Sequence, residues 1–357
     1  MPELILEIGC EELPPRSVPR AVEALALSIM ETLSNSELST ENTECTHLAT
    51  PRRLIVRVVG IKDRQNDRVE VRRGPVAHSA FTAEGAPTPA LQGFCKRLGI
   101  SPMDVEVREG FVWARKTVSG KRANEVLAEI LPECIKGIPF EKTMRWGTER
   151  FRFARPIRWI VALLDGEVVS FSVGGVASGN RSRGHRFLAP EEFEVKEWDS
   201  FLRELRKRFV EPSPEGRKET IRQQAVQVCH GVPLLEEDLV EENAFLTEWP
   251  RAVEGEFGEE FLVLPPLVLI TAMAKYERFF PVYEREEPFS SADSFERKLT
   301  NRFISIINNG DEEVVRRGNQ WVLNARFNDA KFFFEEDSRY TMEDFLARTE
   351  GIVFHGK

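Results

Sequence analysis

The chain has 357 residues, with 58 acidic against 49 basic side chains and a formal net charge of -9, a balance that argues against a generic nucleic-acid binder. A hydrophobic fraction of 41% is enough to bury a core and excludes a disordered chain. The longest apolar run, residues 261–270 (FLVLPPLVLI), is about half a membrane span and holds two prolines, which excludes a transmembrane helix there.

In chain order, residues 4–8 (LILEI) read as a buried strand closed by the turn at 9–15. Val22, Leu25, Ala26, Ile29 and Leu33 give residues 19–33 helical apolar spacing. A β-branched strand follows at 54–59, behind Pro51. A short helix spans 89–98 and stops at Gly99. Residues 105–108 and 112–118 pair as a hairpin around Glu109-Gly110. After a helix at 123–135, a second hairpin joins 159–164 to 168–173 around Asp165-Gly166. Polar helices occupy 196–209 and 214–230, with a proline-containing break between them. An apolar helix at 265–275, strands at 279–283 and 303–308, and two helices at 312–327 and 329–348 complete the reading.

Strands and helices mix without regular βαβ alternation. The expected fold class is α+β, mixed strands and helices in two or three subdomains: an α+β region at 1–190, a mostly helical segment at 191–246, and an α+β segment at 247–357 that ends in helices. Five widely spaced cysteines exclude CxxC zinc and redox motifs and fit a reducing cytoplasm. The acidic start MPELILEIGCEEL carries no basic region, so no secretory leader is expected. Phe345, Leu346, Ile352, Val353 and Phe354 read as an apolar face still being built, the edge of a longer protein.

The charge is unevenly spread. Residues 233–262 hold ten acids against Arg251 alone, and the rest of the chain is neutral. Such a segment is expected to face away from phosphates, toward solvent or basic surface elsewhere in an assembly. Residues 142–158 hold Lys142, Arg145, Arg150, Arg152, Arg155 and Arg158 against Glu149. Arg181, Arg183 and Arg186 follow with no acid among them. A charge run is ordinarily a solvated face. Here the cations are mostly arginine, which forks onto phosphate. They are interleaved with Trp146, Phe151, Phe153 and Trp159, which either stack on bases or pack.

Chemical motifs are scarce. The chain has no GxxxxGK[ST] loop, no GxGxxG behind a strand, no HExxH and no GxSxG elbow. His47, His78, His185, His230 and His355 are isolated in sequence and read as structural. Glu11-Glu12 is either a carboxylate pair for metal or acid–base work or a polar turn after a strand. Cys10 beside it lacks a basic neighbour that would activate a thiolate. No catalytic or metal-binding residue is therefore assigned.

Several stretches, in this order, resemble one family: Glu7-Ile-Gly-Cys-Glu-Glu-Leu-Pro14, Thr50-Pro-Arg-Arg-Leu54, Arg73-Gly-Pro75, Met144-Arg-Trp-Gly147, Arg152-Phe-Ala-Arg-Pro-Ile-Arg-Trp159, Arg183-Gly-His-Arg-Phe187, Glu248-Trp-Pro250, Phe280-Pro-Val282, Gly318-Asn319 and Asp329-Ala-Lys-Phe-Phe-Phe334. Together they are similar to the N-terminal half of the beta subunit of bacterial heterotetrameric glycyl-tRNA synthetase. Cys10 departs from the threonine usual there, and Glu277 from a glutamine. Residues 320–327 are also more divergent.

The resemblance implies a two-component ligase. An alpha subunit activates glycine with ATP and Mg, and this chain binds neither. The implied partners are tRNA(Gly) and that alpha subunit, in an α2β2 assembly when full length, in the cytoplasm and off the membrane. It also implies an N-terminal region like an editing module, and an HD-type and an anticodon-binding region beyond this half. Arg145, Arg155, Arg158, Arg181, Arg183 and Arg186 are the expected tRNA-binding residues, converging on one surface with His185 nearby. The alternative for these arginines is fold-building ion pairs, foremost at Arg155 and Arg158. A second functional class is an aminoacyl-tRNA deacylase, for which Glu11, Glu12 and His185 are the only residues on offer. A third is a scaffold for the alpha subunit.

Overall fold

The computed structural model describes residues 2–82, 85–147, 150–285, 298–350 and 352. Glu149, Val353, Phe354 and His355 lie outside the described residues. The chain opens with β1 (Leu4–Cys10), α1 (Val18–Asn35), β2 (Glu44–Thr50) and β3 (Arg53–Val59). Next come β4 (Arg68–Val76), α2 (Ala77–Ala80), α3 (Pro89–Leu98), β5 (Val105–Arg108), β6 (Phe111–Val118) and α4 (Ala123–Lys136). They are followed by β7 (Met144–Arg145), β8 (Arg152–Phe153), β9 (Ile157–Leu164), β10 (Glu167–Val168), β11 (Ser172–Val173), β12 (Val176–Gly179), β13 (Arg181–Arg183), β14 (Glu192–Glu194) and α5 (Trp198–Lys207).

The first sheet runs β11-β12-β9-β1-β3-β2, with β10 also on β9. Its pairings are antiparallel except β12 on β9. β1 is central and buried along its whole length, which is why it reads as an apolar run interrupted only by Glu7 and Gly9. Successive side chains leave opposite faces. Leu4, Leu6, Ile8 and Cys10 join the core beneath α1 and α4, to which α1 brings Val22, Leu25, Ile29 and Leu33. Ile5, with Ile55, Val161 and Leu163, packs on the other face against Trp198, Phe201 and Leu205 of α5.

β4 to β6 make a separate three-stranded sheet, ordered β4-β6-β5, with its own small core of Ala80, Leu91, Phe94, Cys95, Val112 and Ala114. Its two ends enter side by side. Gln65 N donates to Lys121 O at 3.0 Å and Ala123 N to Asp63 O at 2.8 Å.

The remaining elements are α6 (Pro214–Val228), β15 (Val232–Pro233), α7 (Glu237–Ala244), β16 (Arg251–Glu256), α8 (Pro266–Thr271), β17 (Phe280–Tyr283), β18 (Leu299–Ile307), α9 (Glu312–Asp337) and α10 (Met342–Thr349). An antiparallel sheet ordered β15-β17-β18-β16 has α6 and α7 on one face, around Ile221, Val240, Phe280 and Ile304. Its other face buries Phe303 with Met273, Leu323 and Phe327. The fold is thus α+β, with mixed strands and helices in several subdomains.

Three expectations need correction. The second hairpin is short: Asp165 and Gly166 make the turn with positive φ, and the ladder to β9 ends at Val169, whose N–H donates to the Ala162 carbonyl at 2.9 Å. The apolar helix ends at Thr271 and widens into a π-helical stretch, Ala272–Glu277. The closing helices do not divide near residue 328. α9 continues to Asp337, no Gly or Pro interrupting it after Gly318, and α10 starts behind a capping box at Thr341, whose N–H donates to Asp344 Oδ2 at 2.9 Å.

Of the ten acids in the segment 233–262, Glu236, Asp238, Glu259 and Glu260 are exposed to solvent, as expected. The other six, Glu237, Glu241, Glu242, Glu248, Glu254 and Glu256, pair with basic side chains of the same chain. Glu237 holds Arg222, Glu242 holds Arg278 at 3.1 Å, and Glu256 holds Arg302 at 3.0 Å. Glu248 is buried, for reasons that the site makes plain.

Candidate functional site

Five of the stretches quoted above meet at one end of the first sheet. β1 brings Glu7 and, beyond its end, Glu11 and Glu12. Thr50 and Arg53 end and begin β2 and β3, so the tight Pro51-Arg52 connection places Arg52 and Arg53 on adjacent positions of different depth. β9 supplies Arg158 and Trp159, the loop after β13 supplies Gly184 to Phe187, and the loop before β16 supplies Glu248.

Arg53 lies at the centre and is wholly buried. Its Nε donates to Glu248 Oε1 at 2.8 Å and its Nη1 to Glu7 Oε1 at 3.0 Å. The same guanidinium donates to the backbone carbonyls of Arg183 at 2.7 Å and Gly184 at 2.9 Å. Glu248 Oε1 also accepts from Thr50 Oγ1 at 2.7 Å, and its backbone N–H donates to Asn308 Oδ1 at 2.8 Å. Burial pushes the Glu248 carboxyl up, but the charge and hydrogen bonds of Arg53, with Thr50 and Arg52, outweigh it and hold it below the usual carboxylate range. Burial opposes the Arg53 charge too, and Glu248 and Glu7 together raise its pKa.

The Trp159 indole covers this pair. The Arg53 guanidinium carbon stands 5.0 Å from the Trp159 ring centroid, and those of Arg52 and Arg183 stand 5.7 Å away. The ring lies over Gly9, where an added Cβ would sit 1.9 Å from the indole, so a side chain cannot be accommodated there. Arg217 of α6 is a second buried cation. It donates to the carbonyls of Ala49 at 2.8 Å, Ala244 at 2.7 Å and Glu211 at 2.6 Å, and burial pushes its pKa down to about 10.

The surface layer is made of arginines on the Glu11-Glu12 turn. Arg186 Nη1 reaches Glu11 Oε2 at 2.8 Å and Glu12 Oε1 at 3.0 Å. Arg158 lies 3.4 Å from Glu11 and Arg52 3.5 Å from Glu12. Arg155 Nε donates to the Glu12 carbonyl at 3.0 Å. Burial opposes the Glu12 charge, but a backbone hydrogen bond and Arg186 lower its pKa overall.

Of the seven residues expected to converge, Arg155, Arg158 and Arg186 do so, around carboxylates and a carbonyl. Arg183 pairs with Glu192 at 2.8 Å. Arg145 and Arg181 are exposed, on the β7–β8 and β13–β14 ladders, and neither meets a carboxylate within ion-pair distance among the described residues. His185 does not reach the surface. It is buried, and its Nδ1 accepts the backbone N–H groups of Phe187 and Leu188, each at 3.2 Å. Burial, with Arg53 and Arg52 adding to it, keeps this imidazole below its ordinary pKa and neutral.

The interleaved aromatics pack rather than offer faces. Phe153 and Trp159 are buried, and Trp146 Nε1 donates to the Phe153 carbonyl at 2.9 Å. Cys10 is buried and its thiol is pushed far up by desolvation, so it is no nucleophile. Glu11 and Glu12 are engaged by arginine and His185 is enclosed, so the three residues offered for hydrolysis form no water-activating site. Among the described residues no group of three or more His, Cys, Asp and Glu side chains is disposed to hold a metal. No helix among them is long and apolar enough to cross a membrane.

Sequence reasoning missed Glu7, Arg53, Arg217 and Glu248 as a buried ionic set. One signal was present: a glutamate in the middle of an otherwise apolar buried strand needs a partner.

The chain belongs to a synthetase-subunit family: residues 4–357 match the family model for the glycyl-tRNA synthetase beta subunit. It is 40% identical to the glycine–tRNA ligase beta subunit of Citrifermentans bemidjiense over 99% of this chain and 51% of that protein. It is 41% identical to that of Geobacter metallireducens over 100% and 52%, and 37% identical to that of Clostridioides difficile over 99% and 51%. The chain spans about half the length of the curated relatives it matches.

Proposed function

We propose that this chain is a non-catalytic, tRNA-binding and assembly part of a glycine–tRNA ligase. It supports ATP-dependent attachment of glycine to tRNA(Gly) by an alpha subunit in an α2β2 cytoplasmic enzyme, with ATP and Mg held by that partner. The family match across residues 4–357 carries this reading. The engagement of Glu11, Glu12, His185 and Cys10 in structural contacts agrees with it, since none of these four is poised as an acid, base or nucleophile. Exposed arginines such as Arg145 and Arg181 are available to neutralise phosphates and position RNA without reading bases.

The test is a titration of tRNA(Gly) with this chain over a range of salt, with ATP–pyrophosphate exchange measured alongside. The expected result is salt-sensitive binding with no exchange until an alpha subunit is added. Absence of binding at low salt, or exchange by the chain alone, would overturn the proposal. Mischarged tRNA is expected to survive incubation with the chain.

A further inference from the structure

The small β4-β6-β5 sheet has one covered face and one bare face. Residues directly opposite in an antiparallel ladder share a face. Arg72 with Ala114 and Val107 with Val112 lie on the side where α3 packs Leu91 and Phe94 onto Val112 and Ala114. The pairs Val69–Thr117, Val71–Arg115, Arg73–Trp113 and Val76–Phe111 lie on the other. There Val69 is 60% and Val71 52% exposed. Phe111 and Trp113 are half-buried side by side on β6, and the Arg73 guanidinium carbon stands 4.5 Å from the Phe111 ring centroid.

This face is basic within an acidic chain: Arg73, Arg108 and Arg115 stand on it against Glu106, whereas the whole chain is at -9. Arg115 lies 3.7 Å from Glu106 on the same face, and Arg108 stands exposed opposite Phe111. Around the free edge of β4, between that strand and α3, lies a cavity of about 670 Å³ lined by Arg72, Arg73, Pro75, Phe94, Arg97 and Leu98. Arg72 holds Glu70 at 2.9 Å; Arg73 and Arg97 meet no carboxylate within ion-pair distance among the described residues.

We propose that this face and the cavity at its edge bind unpaired RNA, with bases laid over Phe111 and Trp113 and phosphates taken by Arg73, Arg97 and Arg115. The proposal rests on the tRNA-binding reading above and gives it a location. Aromatic side chains on an open sheet stack bases whatever their identity, and flanking arginines track the backbone. The charge favours an anionic occupant over a protein, since an apolar docking face would not be ringed by arginine.

The experiment is the same salt-resolved tRNA(Gly) titration with the full chain, comparing Trp113→Ala and the exposed pair Arg73→Ala/Arg97→Ala with wild type. Each variant should weaken binding about tenfold, and the arginine pair should flatten the log–log salt slope by roughly 0.7–0.9 for each phosphate no longer neutralised. Trp113→Phe keeps an aromatic face and should retain most of the affinity, which separates stacking from misfolding. 4-Thiouridine-substituted tRNA should crosslink within Phe111 to Arg115. Wild-type affinity in both variants, or crosslinks only outside residues 68–118, would overturn this inference while leaving the proposed function standing. Failure of the wild-type chain to bind tRNA would overturn both. Loss of alpha-subunit association with unchanged tRNA affinity would make the face a protein-docking surface and overturn the inference.

Discussion

Arg53 and Glu248, 195 residues apart, form an ion pair with no exposed side-chain surface on the arginine and almost none on the glutamate, Nε to Oε1 at 2.8 Å. The pair fastens the first sheet to the loop that leads into the β15-β17-β18-β16 sheet. Because Arg53 also binds Glu7 and two carbonyls, its removal would strand two buried carboxylates at once. Arg53→Ala should therefore cost about 3–5 kcal/mol, whereas Thr50→Val, which deletes one hydrogen bond to Glu248, should cost about 1 kcal/mol. Urea unfolding followed by tryptophan fluorescence measures both, and near-equal costs would contradict this arrangement.

Stability should fall on acidification in two stages. The His185 pKa is lowered in the folded state, so between that lowered value and the 6.5 of the unfolded chain the unfolded state binds more protons. Its contribution is complete above 6.5 and is lost as the pH drops below it. Glu248 is likewise lowered, from 4.5, so its contribution persists to lower pH and is lost only below that value. His185→Asn presents an oxygen in place of Nδ1 and does not titrate. The first stage should vanish in that variant when melting temperature is recorded from pH 8 to pH 5.

Gly9→Ala should destabilise the protein by about 1–3 kcal/mol or more, because the new methyl group would enter the Trp159 ring. Combining it with Trp159→Leu should recover part of the loss. Purely additive losses in the double variant would show that the indole is not the obstacle.

Cys10 should resist alkylation in the native state. Its thiol is fully buried, donates to the Arg52 carbonyl at 3.6 Å and is pushed up by burial. Peptide mapping after iodoacetamide treatment at pH 8 should find the half-buried Cys45 labelled first and Cys10 labelled only after denaturation.

The arginines should separate into two groups. Arg145→Ala and Arg181→Ala should leave the melting temperature unchanged and lower the salt slope of tRNA binding by roughly 0.7–0.9 for each phosphate left without its cation. Arg158→Ala and Arg186→Ala remove exposed ion pairs worth no more than about 1 kcal/mol, and they release Glu11 and Glu12. A large fall in melting temperature for Arg145→Ala or Arg181→Ala would assign those residues to the fold instead.

Much of the framework was legible in the amino-acid order. The β1 run, the α1 spacing, the Glu109-Gly110 hairpin and the Pro89–Leu98 helix each follow from a periodicity or turn residue acting over a few positions. The spread of motifs from Glu7 to Phe334 placed the chain in its family. Strands lacking a clean apolar alternation, such as β2 and β4, were not legible, because their pairing comes from neighbours and not from their own side chains. Nor was the fate of the charges. An arginine in sequence is equally a phosphate ligand or half of an ion pair, and contacts spanning from nine to 195 residues decide which. Folding gave Arg186 to Glu11 and Glu12, Arg183 to Glu192 and Arg53 to Glu7 and Glu248, while leaving Arg145 and Arg181 exposed. Periodicity is a local property and the tertiary partner of a charge is not, so the sequence determined the elements and the family, and only the tertiary structure decided which cations remain available to a ligand.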